Sequence, residues 1–184
     1  AEIRERAARI EPDAPLARGG AVPFQGQATP LIVTPSALSR RLQILRRDDG
    51  AFEITLPAGY SGSAEQQVRA ALFAWIRRWL EGEARRLASW HGEEPGLLPR
   101  AIRIKRMSTR WGSCGPANDI NLNWVLAFAP PAVLEYVVVH ELCHIRHRNH
   151  SEAYWMLVSE LLPDWPRRRA WLKQHGVALL RRFA

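Results

Sequence analysis

Apolar residues recur at every second position in two stretches of the chain and at every third or fourth position elsewhere. In RLQILRRDDGAFEITLP, Leu42 and Ile44, then Phe52, Ile54 and Leu56, alternate with other residues on either side of Asp49-Gly50, which predicts a β-hairpin. VPFQGQ and LIVT, just upstream, predict further strands. From Ser63 the period becomes helical. Ser63 and Gln66 have capping-box spacing, and Val68, Ala71, Leu72, Trp75, Ile76 and Trp79 fall on one stripe. That helix runs to about Trp90 and stops at Gly92, with HGEEPGLLP as a linker. Ile102 and Ile104, then Ile120, Leu122 and Trp124, predict two strands flanking the turn-rich GSCGPAND. Pro130-Pro131 suits the start of a helix from Pro131 to about Arg146, and Ser151 caps another that ends before Pro163. A last helix spans about Pro166 to His175 and stops at Gly176.

Strands, a long helix, strands and three helices, in that order, predict an α+β fold with a mostly antiparallel sheet packed on the long helix and on the helix after Pro131. We expect one domain over 1–184, with strands and the long helix in 20–94 and a second subregion in 100–176. With 184 residues, 47% of them hydrophobic and 24% charged, the chain can bury a core, which excludes a disordered tail, a collagen-like fibre and a disulfide scaffold. No apolar run reaches the roughly 20 residues of a membrane helix, and AEIRERAARIEPDAP is charged where a signal peptide is apolar. Cys114 and Cys143 are too few for a disulfide framework. The expectation is a cytoplasmic protein without a membrane partner. Its net charge of +8 is uneven: residues 1–94 carry 13 cationic and 12 acidic side chains, whereas residues 95–184 carry 13 and 6. The basic half favours an anionic ligand or a nucleic acid, while Arg167-Arg168-Arg169 also suits a solvated helix face.

Four of the six histidines lie within VVVHELCHIRHRNHSEAYW. His140-Glu141-Leu142-Cys143-His144 is an H-E-x-x-H pattern, and on a helix His140 and His144 share a face and can hold one Zn²⁺. Glu141, beside the metal, is placed to take a proton from a water that the metal acidifies. His147 and His150 compete for the third ligand position. His147 continues the same helix face but lies about 10 Å along the axis from His140. His150 converges if the chain turns back near Arg148-Asn149, with Asn149 supplying a left-handed residue, and is the favoured ligand. Glu152 and Glu160 are minor candidates, and His91 and His175 read as surface or capping histidines.

TRWGSC (109–114), INLNW (120–124), PPAVLEYVVVHELCH (130–144), NHS (149–151) and LPDWPRRRAWL (162–172) together resemble the YgjP-like family of zinc-dependent metallopeptidases. The resemblance implies a small zincin-like catalytic domain, with one Zn²⁺ per chain on His140, His144 and His150, Glu141 as base, and a peptide or protein as substrate. The histidine spacing also resembles metzincins, which have Gly where this chain has His147 and a Met-turn that neither Met107 nor Met156 provides. In metallopeptidases of this type an edge strand above the metal holds the substrate; if TRWGS is that strand, Arg110, Trp111 and Ser113 line the cleft. Equally, Trp111 packs on the active-site helix and Gly112 permits that approach. Tyr136 is one turn before His140, where it can bond a ligand. Tyr154 reads as core with a hydroxyl that needs a partner, and Cys143 as facing the core. Two other functions carry a motive: a metal-dependent nucleotide pyrophosphohydrolase, associated with the family and suited to the basic half, and a non-enzymatic module in which zinc holds the fold and the basic surface binds nucleic acid.

Overall fold

The Asp49-Gly50 turn closes the expected hairpin, with β3 (Gln43–Arg46) antiparallel to β4 (Phe52–Pro57) and Ile44 opposite Ile54. Gly50 adopts a φ of 85°, a conformation that favours glycine. In the computed structural model, which describes residues 16–57 and 64–183, the chain divides into two compact units, 1–76 and 77–184. The expected N-cap Ser63 lies outside the described residues. The first unit holds a four-stranded sheet in the order β1-β2-β4-β3, where β1 is Gly20–Phe24 and β2 is Gln27–Ser36. Inward residues alternate along β4, and Phe24 and Phe52 meet Trp75 edge-to-face at centroid distances of 6.0 and 5.0 Å. Trp75 belongs to α1 (Ala64–Gly92), whose buried stripe continues from Val68, Leu72 and Ile76 in the first unit to Leu80, Ala84 and Leu87 in the second.

The second unit has a three-stranded sheet, β5-β7-β6, formed by Ala101–Lys105, Gly112–Cys114 and Asp119–Asn123 in chain order. β6 lies at the start of the stretch read as turn-rich and overlaps the candidate edge strand TRWGS, and Trp124 lies in a 3₁₀ turn, Trp124–Phe128, rather than in the strand. The expected mostly antiparallel sheet is therefore two small mixed sheets, with β2–β4 and β5–β7 parallel and the other pairs antiparallel. The α+β class stands.

Helix α2 spans Pro131–Arg146 and opens with proline at its first position. Val137, Val138 and Val139 are poor helix formers, but all three are buried, and burial on several faces overrides propensity. Ser151 caps α3 (Glu152–Leu161), accepting a hydrogen bond from the Tyr154 N–H. Helix α4 runs Trp165–Phe183, straight through Gly176, where a stop was expected. The glycine serves packing instead: a Cβ there would stand 2.8 Å from Trp111 Cζ2. No helix among the described residues is long and apolar enough to cross a membrane.

Candidate metal centre

Helix α2 presents His140 and His144 one turn apart, their ring centroids separated by 5.0 Å. The helix ends at Arg146, and His147 leaves it with extended dihedrals, φ −122° and ψ 107°. This exit turns the His147 carbonyl onto His144 Nδ1 at 2.9 Å. A carbonyl only accepts, so the His144 proton sits on Nδ1 and its Nε2 lone pair is free. The chain then reverses, bringing His150 Nε2 to 3.2 Å from His140 Nε2. Ligand atoms of His140, His144 and His150 all lie within 4.8 Å of one another, and His147 is not in the group.

The reversal does not use a left-handed Asn149: among described non-glycine residues, only Gln25 and Asn118 have positive φ. Arg148 fixes it instead. Its guanidinium donates to the carbonyls of Gly115 (2.8 Å) and Pro116 (3.4 Å), to Asn118 Oδ1 and to Cys114 Sγ (3.5 Å). The loop that carries His150 is thereby clamped to the β6–β7 turn.

Aromatic rings orient the imidazoles. Tyr154 stacks on His144 (4.7 Å) and donates its hydroxyl to the His140 carbonyl at 3.0 Å, which supplies the partner its burial demands. Trp155 stacks on His150 (5.5 Å) and on Trp165 (4.4 Å). His140 Nδ1 is buried without a hydrogen-bond partner among the described residues, so packing against Tyr136 and Tyr154 sets that ring. Burial, reinforced by His144, His150 and Arg169, lowers the His140 pKa to about 3, and burial lowers that of His150. Neutral imidazole, the form that binds a cation, is thereby favoured.

Glu141 is 4% exposed, and burial raises its pKa to about 8. Gly112, first residue of β6, lies against it: a Cβ at 112 would stand 2.5 Å from Glu141 Oε1. Gly112 therefore makes room for the carboxylate, and Gly176 makes room for Trp111. Asn123, fully buried, donates to the carbonyls of Met107 (2.7 Å) and Arg110 (2.8 Å) and caps Val125, organising the approach to β6.

The YgjP-like metallopeptidase domain family matches residues 1–175. The chain belongs to this family. Membership makes the YgjP-like domain a metallopeptidase-type hydrolase and implies a divalent metal, which the histidine cluster can bind. No curated protein and no solved structure matches the chain.

A cavity of about 370 Å³ opens beside His140 and Glu141 in the YgjP-like domain, lined also by Arg110, Trp111, Tyr136 and, from α4, Arg169 and Lys173. Of the side chains expected along the cleft, Arg110 and Trp111 are in its wall; Ser113 is not among the lining residues and accepts from Asn121 Nδ2 at 3.2 Å. Tyr136 is buried beside His140, and burial raises its pKa to about 12. Glu152, Glu160, Cys114 and Cys143 are outside the histidine group; burial raises the Cys143 thiol pKa to about 12. His91 is in the last turn of α1, as a capping histidine would be, but is half-buried rather than on the surface: its side chain is 9% exposed and its Nε2 is 2.8 Å from Glu135 Oε1. Sequence reasoning missed the parts played by Asn123, Arg148, Arg169 and Lys173. The first occupied a polar position of an alternating strand and the others looked like solvated charges, so periodicity held no signal for them.

Proposed function

We propose that the YgjP-like domain is a zinc-dependent peptidase, with one zinc per chain held by His140, His144 and His150 and Glu141 transferring the proton. The convergence of three imidazoles beside one buried carboxylate carries this reading. Zinc–nitrogen bonds of about 2.0–2.1 Å in tetrahedral geometry hold two ligand nitrogens roughly 3.3–3.4 Å apart, and the Nε2 atoms of His140 and His150 are separated by 3.2 Å. Three protein ligands also leave a coordination position open. When bound, such a metal supplies Lewis acidity to the attacking water and the scissile carbonyl. Glu141 takes the proton of that water and delivers it to the leaving amine. Tyr136, its phenol kept protonated by burial, is a hydrogen-bond donor in the same cavity.

Strand β6 is an edge of its sheet, and Asn123 N donates to Trp111 O at 2.8 Å while Gly115 N donates to Asp119 O at 2.8 Å. By antiparallel alternation, the backbone groups of Gly112 and Cys114 point away from β7, where an extended peptide can add as a strand. Metal analysis after zinc loading, expected near one equivalent per chain, and casein hydrolysis that disappears in Glu141→Gln test the proposal. No bound metal, or hydrolysis that survives the substitution, overturns it.

The cations lining the cavity favour a second reading, hydrolysis of nucleoside polyphosphates. Against it, the metal-ligand group found among the described residues is all histidine, whereas Mg²⁺, the usual companion of phosphates, prefers oxygen ligands. Nucleoside triphosphates assayed beside casein, with Glu141→Gln as blank, separate the two.

A further inference from the structure

The cavity beside His140 and Glu141 is electrically lopsided. Arg110 enters it from the approach to β6, and Arg169 and Lys173 from α4, whereas Glu141 is the one acid in its wall. The arrangement is built rather than incidental. Arg169 lies over the rings of Trp155 and Trp165, its guanidinium carbon 5.0 and 5.9 Å from their centroids, and those rings are themselves stacked. Among the described residues, Arg110, Arg169 and Lys173 pair with no carboxylate, whereas the neighbouring Arg168 pairs with both Glu135 and Asp164. One position along a helix is a turn of about 100°, so Arg168 ties α4 to α2 while Arg169 faces the cavity. Arg169 and Lys173 are four apart on one face, where like charges repel; an anion between them relieves that repulsion. Trp111, Val137 and Leu172 add apolar wall for the methylenes of an occupant.

We propose that Arg110, Arg169 and Lys173 form a subsite for a peptide carboxylate close to the scissile bond, so that the preferred substrates are peptides that place a carboxylate there. This rests on the peptidase reading and names its substrate class. The carboxylate has two sources, an internal Asp or Glu side chain and a free C-terminus.

The test uses the full zinc-loaded chain carrying Glu141→Gln, so that peptides bind without being cut, and reads affinity by tryptophan fluorescence. Three matched hexapeptides serve as probes: one with internal Glu and an amidated C-terminus, one with Gln in its place and an amidated C-terminus, and the Gln peptide with a free C-terminus. At least one carboxylate peptide binds at least fivefold tighter than the neutral amide, and added salt weakens that preference. Which of the two does so identifies the source. Adding Lys173→Glu, a reversal at an exposed site, removes the preference, and adding Arg169→Gln with Lys173→Gln brings it within twofold. Equal binding of all three peptides overturns the proposal, as does a preference that ignores these substitutions. ATP binding tighter than every peptide, and lost in the Lys173→Glu variant, overturns it in favour of a polyphosphate. Casein cleavage by the unsubstituted zinc-loaded chain, without any carboxylate preference, removes the subsite alone. A carboxylate preference without cleavage removes the peptidase reading alone.

Discussion

Substituting Gly112 by alanine is the sharpest probe of the base. Gly112 has no positive φ to protect, so the effect of a methyl group there is steric. Its Cβ would stand 2.5 Å from Glu141 Oε1, 2.8 Å from Cγ and 2.9 Å from Cδ. Carbon contacts settle at about 3.5–4.0 Å, so the carboxylate or the strand must withdraw by roughly 1 Å. Glu141 is 4% exposed and has little room to move. Overpacking of this kind costs about 1–3 kcal/mol, which lowers the melting temperature of a chain this size by about 2–12 °C. A displacement of about 1 Å at a reacting group costs about 100-fold in rate, so kcat/KM on a peptide falls by that order. Zinc affinity holds within about twofold, because the metal ligands are not among the atoms the new methyl meets. Gly115→Ala is the control: its Cβ meets nothing closer than Asp119 O at 3.6 Å, an ordinary contact. Activity of Gly112→Ala within twofold of the parent refutes the reasoning. So does a parallel loss of zinc binding, which signals general unfolding.

Three further outcomes follow from the same geometry. His150→Ala lowers zinc affinity, measured by chelator competition, by well over the roughly 10–100-fold typical of indirect supports, whereas His147→Ala barely changes it, because the His147 contact with His144 is through its backbone carbonyl; the reverse ranking sinks the three-histidine site. Arg148→Met releases the β6–β7 turn from the His150 loop and lowers zinc affinity about tenfold; unchanged affinity shows that the clamp is dispensable. In the metal-free protein, Glu141 has a pKa of about 8 against an ordinary 4.5, so the protonated form favours folding: its contribution is complete below 4.5 and is lost as pH rises through 8. Glu141→Gln, always neutral, gains on the parent by several kcal/mol between pH 5 and 8.5, and a stability difference that stays flat with pH counts against a buried, proton-binding Glu141.

The legible parts of the fold are those in which one local rule decides. Alternation about Asp49-Gly50 leads to the β3–β4 hairpin, and proline at the first position together with the run before His140 leads to α2 at its observed limits, Pro131–Arg146. Where a distant contact outweighs a local rule, the reading fails. Gly176 looks like a helix stop because glycine is a poor interior residue, but Trp111, 65 residues earlier, occupies the space its side chain would take. Asn123 looks like the wet face of a strand, yet it is buried, because the carbonyls of Met107 and Arg110 need its amide. The chain reversal toward His150 is similar: a left-handed Asn149 is a local device, and the structure uses a long-range one, Arg148 on the 115–118 turn. The parallel pairing of β2 with β4 and of β5 with β7 depends on crossovers that no local pattern encodes.

Trp111 joins the two halves of the candidate site. Its carbonyl is held by the Asn123 N–H at 2.8 Å, and the next residue is Gly112, against the Glu141 carboxylate. Its indole meets Gly176, on the helix that also carries Arg169 and Lys173. Glu141 on α2 and the cations on α4 are therefore set against one side chain, through two positions where a Cβ would clash. The proposed function gives the long-range glycine contacts a reason. On the proposed function, a cavity that holds a peptide bond at Glu141 and a carboxylate at Arg169 needs a fixed distance between those walls, and a rigid indole packed on backbone fixes that distance better than a flexible side chain packed on another.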